Sequence, residues 1–207
     1  MPKQLLVSVF STLLALSTFA AADDAPWPVP VAGWVAPAGG EHPRLFFRLR
    51  DLPELKLRAQ TPEGKVIVAR LRVLLNGSDG QSLPAKFNDT DAKGGSVEGP
   101  DGTVLTLWHP AGYGFLYQLT GEQKYADLGR QCMEKILAGT RDRDSRYAYL
   151  SPNGALRAGP SLGAVAMGYD LCYGGWDEPF RLKVAKAMES VLVPSHWKAW
   201  SREPVSA

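Results

Sequence analysis

The run AGYGFLYQLTGEQKYADLGRQCMEKILAG, residues 111–139, decides the fold class. In its second half Tyr125, Leu128, Cys132, Ile136 and Leu137 recur three and four residues apart, the spacing of one helical face. Asp127, Arg130 and Glu134 fill intervening positions, the charged complement of a half-buried helix. In the first half Ala111 to Leu119 is short and apolar, with Pro110 suited to a first helical turn and Thr120-Gly121 to a reversal. The spacing predicts helices over 110–119 and 122–138, folded against each other as an αα-hairpin.

Working outward, the same period returns. Leu162, Val165, Ala166, Tyr169 and Tyr173 form one apolar stripe ended by Gly174-Gly175. Phe180, Val184, Ala187, Met188, Val191 and Leu192 form the next, ended by Pro194. A second hairpin, 160–174 with 177–192, therefore follows the first by about fifty residues, the grammar of stacked helix pairs. The fold class is all-α, and the hairpins read as part of a closed ring, an incomplete (α/α) toroid. Upstream, Asp51 ahead of Leu52-Pro53 caps a helix through Ala59, and Thr61-Pro62-Glu63 opens another that stops near Asn76-Gly77. Val66, Ala69, Leu71, Val73 and Leu74 are the apolar positions expected of that helix.

Residues 1–22 carry Lys3, an apolar stretch from Leu5 to Phe19 and Ala20-Ala21-Ala22, the pattern of a cleaved secretory signal. The expected location is secreted or periplasmic, with no membrane association after cleavage. Residues 23–43 are rich in Pro, Ala and Gly and read as an extended arm. Residues 44–193 form the partial toroid, and 194–207 an irregular tail. Removing the signal leaves 22 basic against 21 acidic residues, a near-neutral balance that argues against nucleic acid as a partner. Cys132 and Cys172 stand on or beside the inward stripes of successive hairpins. Export permits a bridge between them, and two buried free thiols are the other reading.

Residues 76–103, rich in Gly, Asp and Ser, read as a long loop with little to place in a core. Asp89, Asp91 and Gly94 hint at a calcium loop, but Lys93 stands where an oxygen ligand belongs and no glutamate occupies the twelfth position. No metal site is expected there, and the cysteines lack the neighbours a zinc site needs. No phosphate loop, nucleophile elbow or dinucleotide fingerprint occurs, so no cofactor is expected. His109 before Pro110 reads either as a helix cap or as a group at a ligand rim. Arg141, Arg143, Arg146 and Arg157 fall within seventeen residues around the link between the hairpins. They either hold anions in bidentate fashion or pair with the interspersed Asp142 and Asp144. Tyr113 and Tyr147 add aromatic surface for sugar rings, although Tyr113 suits the core equally well.

His42-Pro43-Arg44-Leu45-Phe46-Phe47 ahead of a helix resembles the N-terminal segment of heparinase II/III-like and alginate-lyase-like polysaccharide lyases. The resemblance continues through Gly114-Phe115-Leu116-Tyr117-Gln118-Leu119-Thr120-Gly121-Glu122-Gln123-Lys124-Tyr125-Ala126 and Gly168-Tyr169-Asp170-Leu171-Cys172-Tyr173, covering roughly 42–188. It implies β-elimination at a uronic acid of an acidic polysaccharide. That reaction needs one group to neutralise the carboxylate, a base for the C5 proton and an acid for the departing O4. Ser195-His196-Trp197 resembles the family's His-Trp segment, with Ser195 where Asn is expected, which makes His196 the candidate catalytic residue. His109, Tyr113, Arg143, Arg146, Tyr147 and Arg157 are the candidate substrate-binding residues. The family's downstream Tyr, later His and β-sandwich domain are expected beyond Ala207. The chain thus reads as a truncated lyase lacking most catalytic residues. A non-catalytic glycan- or partner-binding module is one alternative. A toroid hydrolase is another, with Glu178 and Asp170 as the carboxylates available to it. The unclosed wall of a partial ring is expected to favour self-association.

Overall fold

Apolar stripes at helical spacing bury only when a second stripe faces them, and the hairpin connections bring such stripes together. The computed structural model describes residues 32–88 and 102–190 and contains six α-helices. They are α1 (Leu52–Arg58), α2 (Pro62–Asn76), α3 (His109–Thr120), α4 (Gln123–Leu137), α5 (Ala155–Cys172) and α6 (Glu178–Glu189). No strand occurs among the described residues, only isolated bridges joining Lys86 to Val104 and Asn88 to Arg141. The chain divides into two units, Met1–Ala36 and Pro37–Ala207. Of the first only residues 32–36 are described, and all six helices belong to the second.

Helix ends fall where the sequence punctuates. Thr61 caps α2 by accepting from the Gly64 N–H at 3.1 Å. Gly77 closes that helix in the left-handed conformation, φ +81°, and Gly121 closes α3 at φ +75°. The Asp177 carboxylate caps α6 by accepting from Phe180 N–H at 2.8 Å. One boundary differs from expectation. Helix α5 begins at Ala155 rather than at 160, with Pro160 inside it. Proline deprives one carbonyl of its helical partner, here that of Leu156 in the first turn. The Leu156 side chain is 77 % exposed, so this turn lies at the surface, where water replaces the lost bond. The expected continuation of α6 to Leu192 lies outside the described residues, as do the signal segment, the tail and the calcium-loop positions Asp89 to Gly94.

Helix α3 is central. Small residues bring α5 against it: a Cβ on Gly168 would lie 2.6 Å from Cβ of Pro110, and one on Gly114 would lie 2.7 Å from Cβ of Leu171. Residues 110 and 114 thus face 168 and 171, so α3 and α5 run side by side in the same direction. Helix α4 returns antiparallel along α3, where a Cβ on Gly129 would meet the Cys172 thiol at 2.8 Å. Tyr113, Leu116, Tyr125, Met133, Ile136 and Val165 fill the seam and are inaccessible to solvent. Cys132 and Cys172 are both buried and free, so the bridge that export would permit is not made. Burial pushes the Cys132 thiol up to about 12, as an inert core thiol requires.

Two expectations about the core need correction. On α2 the inward residues are Val68, Leu71 and Leu75, whereas Val66 is 69 % exposed and Leu74 41 %. Apolar residues occupy more of this helix than one face, and α3 covers only the stripe spaced 68, 71, 75. The stretch after Asn76 also contributes more than a loop would, because Leu83 and Phe87 pack against the core. Among the described residues no helix is long and apolar enough to cross a membrane.

The α3–α5 seam has no room for another carbon where Gly168 meets Pro110. Gly168→Ala is expected to lower stability by about 1–3 kcal/mol, the usual cost of overpacking. Thermal melting measures it, and an unchanged midpoint would show that the two helices yield without strain.

Candidate functional site

Seven residues separate Ser161 from Gly168, so Ser161 stands about 10 Å along α5 past the level at which that helix meets the start of α3. The projecting turns form one wall of a cleft of about 340 Å³. Trp108, which precedes α3, and the loop 142–147 form the others. The lining includes Thr106, Trp108, Asp142, Arg143, Asp144, Tyr147 and Ser161.

The loop is built by its own aspartates and backbone. Asp142 accepts from Leu107 N–H at 2.8 Å and from Asp144 N–H at 3.0 Å, tying the loop to the segment before α3. Buried Asn88 donates to the Asp142 carbonyl at 3.0 Å. Arg143 N–H donates to Leu105 O at 2.8 Å, and Tyr147 N–H to Asp144 O at 2.9 Å. Burial raises the Asp142 carboxyl above its ordinary range, against the two N–H donors that favour its charge. Asp144 sits low, at about 2, because the Arg146 guanidinium grips it through two parallel bonds.

The expected binding residues separate into two groups. Arg143 and Tyr147 line the cleft. Arg146 is spent on Asp144, and Arg141 donates to Ser145 O at 3.0 Å, so the loop takes the self-paired form at those two positions. Arg157 stands one helical turn before Ser161 and helps to depress Asp144, while its Nε–H is buried without a partner among the described residues. Ser161 is 2 % exposed and its Oγ likewise has no partner there.

His109 and Tyr113 are both buried: Tyr113 takes the core position that was its other reading, while His109 borders a second cavity with both ring nitrogens already bonded. His109 is 2 % exposed, with Nδ1 accepting from Thr106 N–H at 2.8 Å and Nε2 3.1 Å from the Leu75 carbonyl. These partners fix the neutral tautomer with its proton on Nε2. The Tyr113 hydroxyl donates to Ser82 O at 2.5 Å, and burial raises its pKa well above the ordinary phenol range. Their work is to fasten the ends of α2 and its following loop to α3. His196 lies outside the described residues.

The carboxylates considered for hydrolysis are not brought together. Asp170 is 1 % exposed and accepts from His42 Nδ1 at 2.6 Å, Arg44 N–H at 2.9 Å and Leu45 N–H at 2.9 Å. His42, next to a cis peptide bond at Pro43, stacks on Tyr173 with ring centres 3.8 Å apart. Glu178 is exposed at the start of α6. Asp170 therefore anchors the 42–45 segment to α5, a structural task that absorbs its charge. Among the described residues no His, Cys, Asp and Glu side chains gather in a metal-binding group.

Sequence reasoning missed Trp108 and Ser161. A tryptophan just before His109-Pro110 was a usable sign, since an aromatic at a helix start sits where two elements meet. Ser161 gave none, because its place depends on how far α5 extends past α3. Comparison with family models, curated proteins and solved structures finds no match for this chain.

Burial pulls His109 from its ordinary value of 6.5 down to about 4. As pH falls below about 6.5 the unfolded chain takes up a proton that the native site refuses until about 4, so stability falls across that window. The loss from this group approaches about 3 kcal/mol at the acid end. Glu41 and Asp144, both near 2, titrate below the window, and Asp142, with its raised pKa, acts in the opposite sense. Melting of wild type and His109→Gln between pH 7 and 4.5 checks this: the variant is expected to show the flatter profile, and parallel profiles would remove His109 as the cause.

Proposed function

We propose that this chain is a helical glycan-binding module of the heparinase II/III-like kind, with an acidic polysaccharide as its ligand in the Trp108 cleft. One observation carries the reading: a half-exposed indole, Tyr147, Arg143 and the unpaired Ser161 hydroxyl surround one cavity of sugar-ligand size. Sugar rings offer apolar faces to aromatic side chains and hydroxyls to paired polar groups, and this lining has both. Its charge is mixed. Arg143 stands beside Asp142 and an Asp144 already answered by Arg146, which favours a ligand carrying few anionic groups per bound segment.

The toroid reading gains support from the parallel course of α3 and α5, with α4 returning antiparallel beside α3, as in successive hairpins of a ring. The lyase reading rests on the resemblance of the 42–47, 114–126 and 168–173 segments. Two of these meet physically, since Asp170 holds the backbone of Arg44 and Leu45. Among the described residues, however, neither histidine is free to act in the cleft. His109 is locked into backbone bonds, and His42 is held by Asp170. Binding is therefore the part of the family's function that this geometry supports best. Export remains part of the proposal, on the strength of residues 1–22.

Titration calorimetry with heparan sulfate, alginate and hyaluronan oligosaccharides tests the proposal. Trp108→Ala is expected to weaken binding roughly tenfold or more, as loss of a central aromatic anchor does. Arg143→Ala is expected to flatten the salt dependence, while Arg146→Ala changes affinity by less than about twofold because its partner is Asp144. No affinity for any of the three glycans, or full affinity in Trp108→Ala, would refute it. Absorbance of unsaturated product should stay at baseline with all three, and sustained product would restore the lyase reading to this chain.

A further inference from the structure

A second cavity of about 240 Å³ lies beside the first and shares Thr106, Trp108 and Arg143 with it. The remainder of its wall is Leu71, Leu74, Leu75 and Val104, with the backbone at Gly102 and Gly112 and the ring of His109. Leu74 and Trp108, 41 % and 51 % exposed, place it at the surface. The two cavities differ in chemistry although one indole borders both. The first carries the Ser161 hydroxyl and two aspartates. In the second, the ring nitrogens of His109 are taken by Thr106 and the Leu75 carbonyl, and Thr106 Oγ1 lies 3.0 Å from His109 Nδ1.

From this asymmetry, and resting on the glycan reading above, we infer that the second cavity is an acyl-group subsite: it receives the acetyl substituent of a sugar whose ring, or whose neighbour's ring, occupies the Trp108 cleft. A bare sugar residue pressed against Leu71, Leu75 and Val104 would leave hydroxyls without partners, at the cost that attaches to any buried unpaired donor. The methyl of an ester or amide gains by the same burial, and its carbonyl oxygen points back to the shared rim, where Arg143 lies. Gly112 lets the Leu75 side chain lie directly against α3, since a Cβ there would be 2.8 Å from that side chain. The ligand class is therefore an O- or N-acetylated acidic glycan rather than a bare polyuronate.

A matched pair of probes tests this: polyuronate oligosaccharides, and the same oligosaccharides after chemical O-acetylation, titrated against the intact chain and against Leu74→Lys. Wild type is expected to bind the acetylated form roughly fourfold or more tightly, the worth of one buried methyl. In Leu74→Lys the preference should vanish, because the lysine brings a cation to the apolar wall that the methyl would bury against. Leu74 is partly exposed, so the variant is expected to fold, and its melting curve verifies that. Equal affinity for both forms in wild type, or an unaltered preference in folded Leu74→Lys, overturns the acyl subsite and leaves glycan binding standing. Absence of binding by either form overturns both. Should Leu74→Lys fail to fold, wild-type affinity for N-acetylated against N-deacetylated oligosaccharides decides by the same criterion.

Discussion

The contact between α3 and α5, so close that neither Gly114 nor Gly168 has space for a Cβ, is the constraint on which the remaining architecture depends. It sets the offset of the two helices, because only one register places both glycines against the other helix. With that register, the first two turns of α5 extend past the start of α3 and carry Ser161 to the side of Trp108. A shift of one helical turn would move the wall by about 5 Å and close or open the cleft. Packing far from any ligand thus determines what the cleft can hold.

Two polar anchors work with this seam. Asp170 gathers the His42 ring and two backbone N–H groups of the 42–45 segment onto α5. His109 and Tyr113 tie α3 to the end of α2 through the carbonyls of Leu75 and Ser82. In both cases a buried polar side chain satisfies backbone groups, at sequence separations from 31 to 126 residues. Such side chains look functional in a sequence because they are the rare histidines, tyrosines and acids of an apolar run. Their surroundings show that they are structural. Of the arginines, Arg146 is held by a carboxylate two residues away, and Arg143 borders both cavities.

The helices were legible in the sequence, because period, proline and glycine are local signals. Tyr125, Cys132 and Ile136 were placed on one buried face by spacing alone, and burial of Val165, Phe180 and Val184 followed the same rule. The site was legible only in part. Arg143 and Tyr147 could be singled out as types, but Trp108 and Ser161 join them through the offset of two helices, which no local pattern encodes. The buried bonds of His109 and Tyr113 were hidden for the converse reason: their partners in space, Leu75 and Ser82, lie more than thirty residues upstream. The extent of α5 failed on a general rule, that proline begins a helix, in a case where the first turn tolerates it one turn later.

The distribution of charge along the 141–149 loop sets the specificity of the cleft more than the number of its arginines does. Four arginines near one loop suggest a strongly cationic rim, yet each Asp–Arg pair formed within the loop removes a cation from the reach of a ligand and stiffens the backbone instead. Two aspartates remain on the lining, one turned to backbone donors and one gripped by Arg146. A densely anionic chain passing this wall would meet as much repulsion as attraction. A ligand with sparse charge, an apolar ring face for Trp108 and an uncharged substituent for the adjoining cavity meets neither penalty. On the proposed glycan reading, the self-pairing of the loop and the leucine wall beside it would act as a filter, lowering the affinity that charge alone would give and leaving the ring face and its substituents as the features to be read.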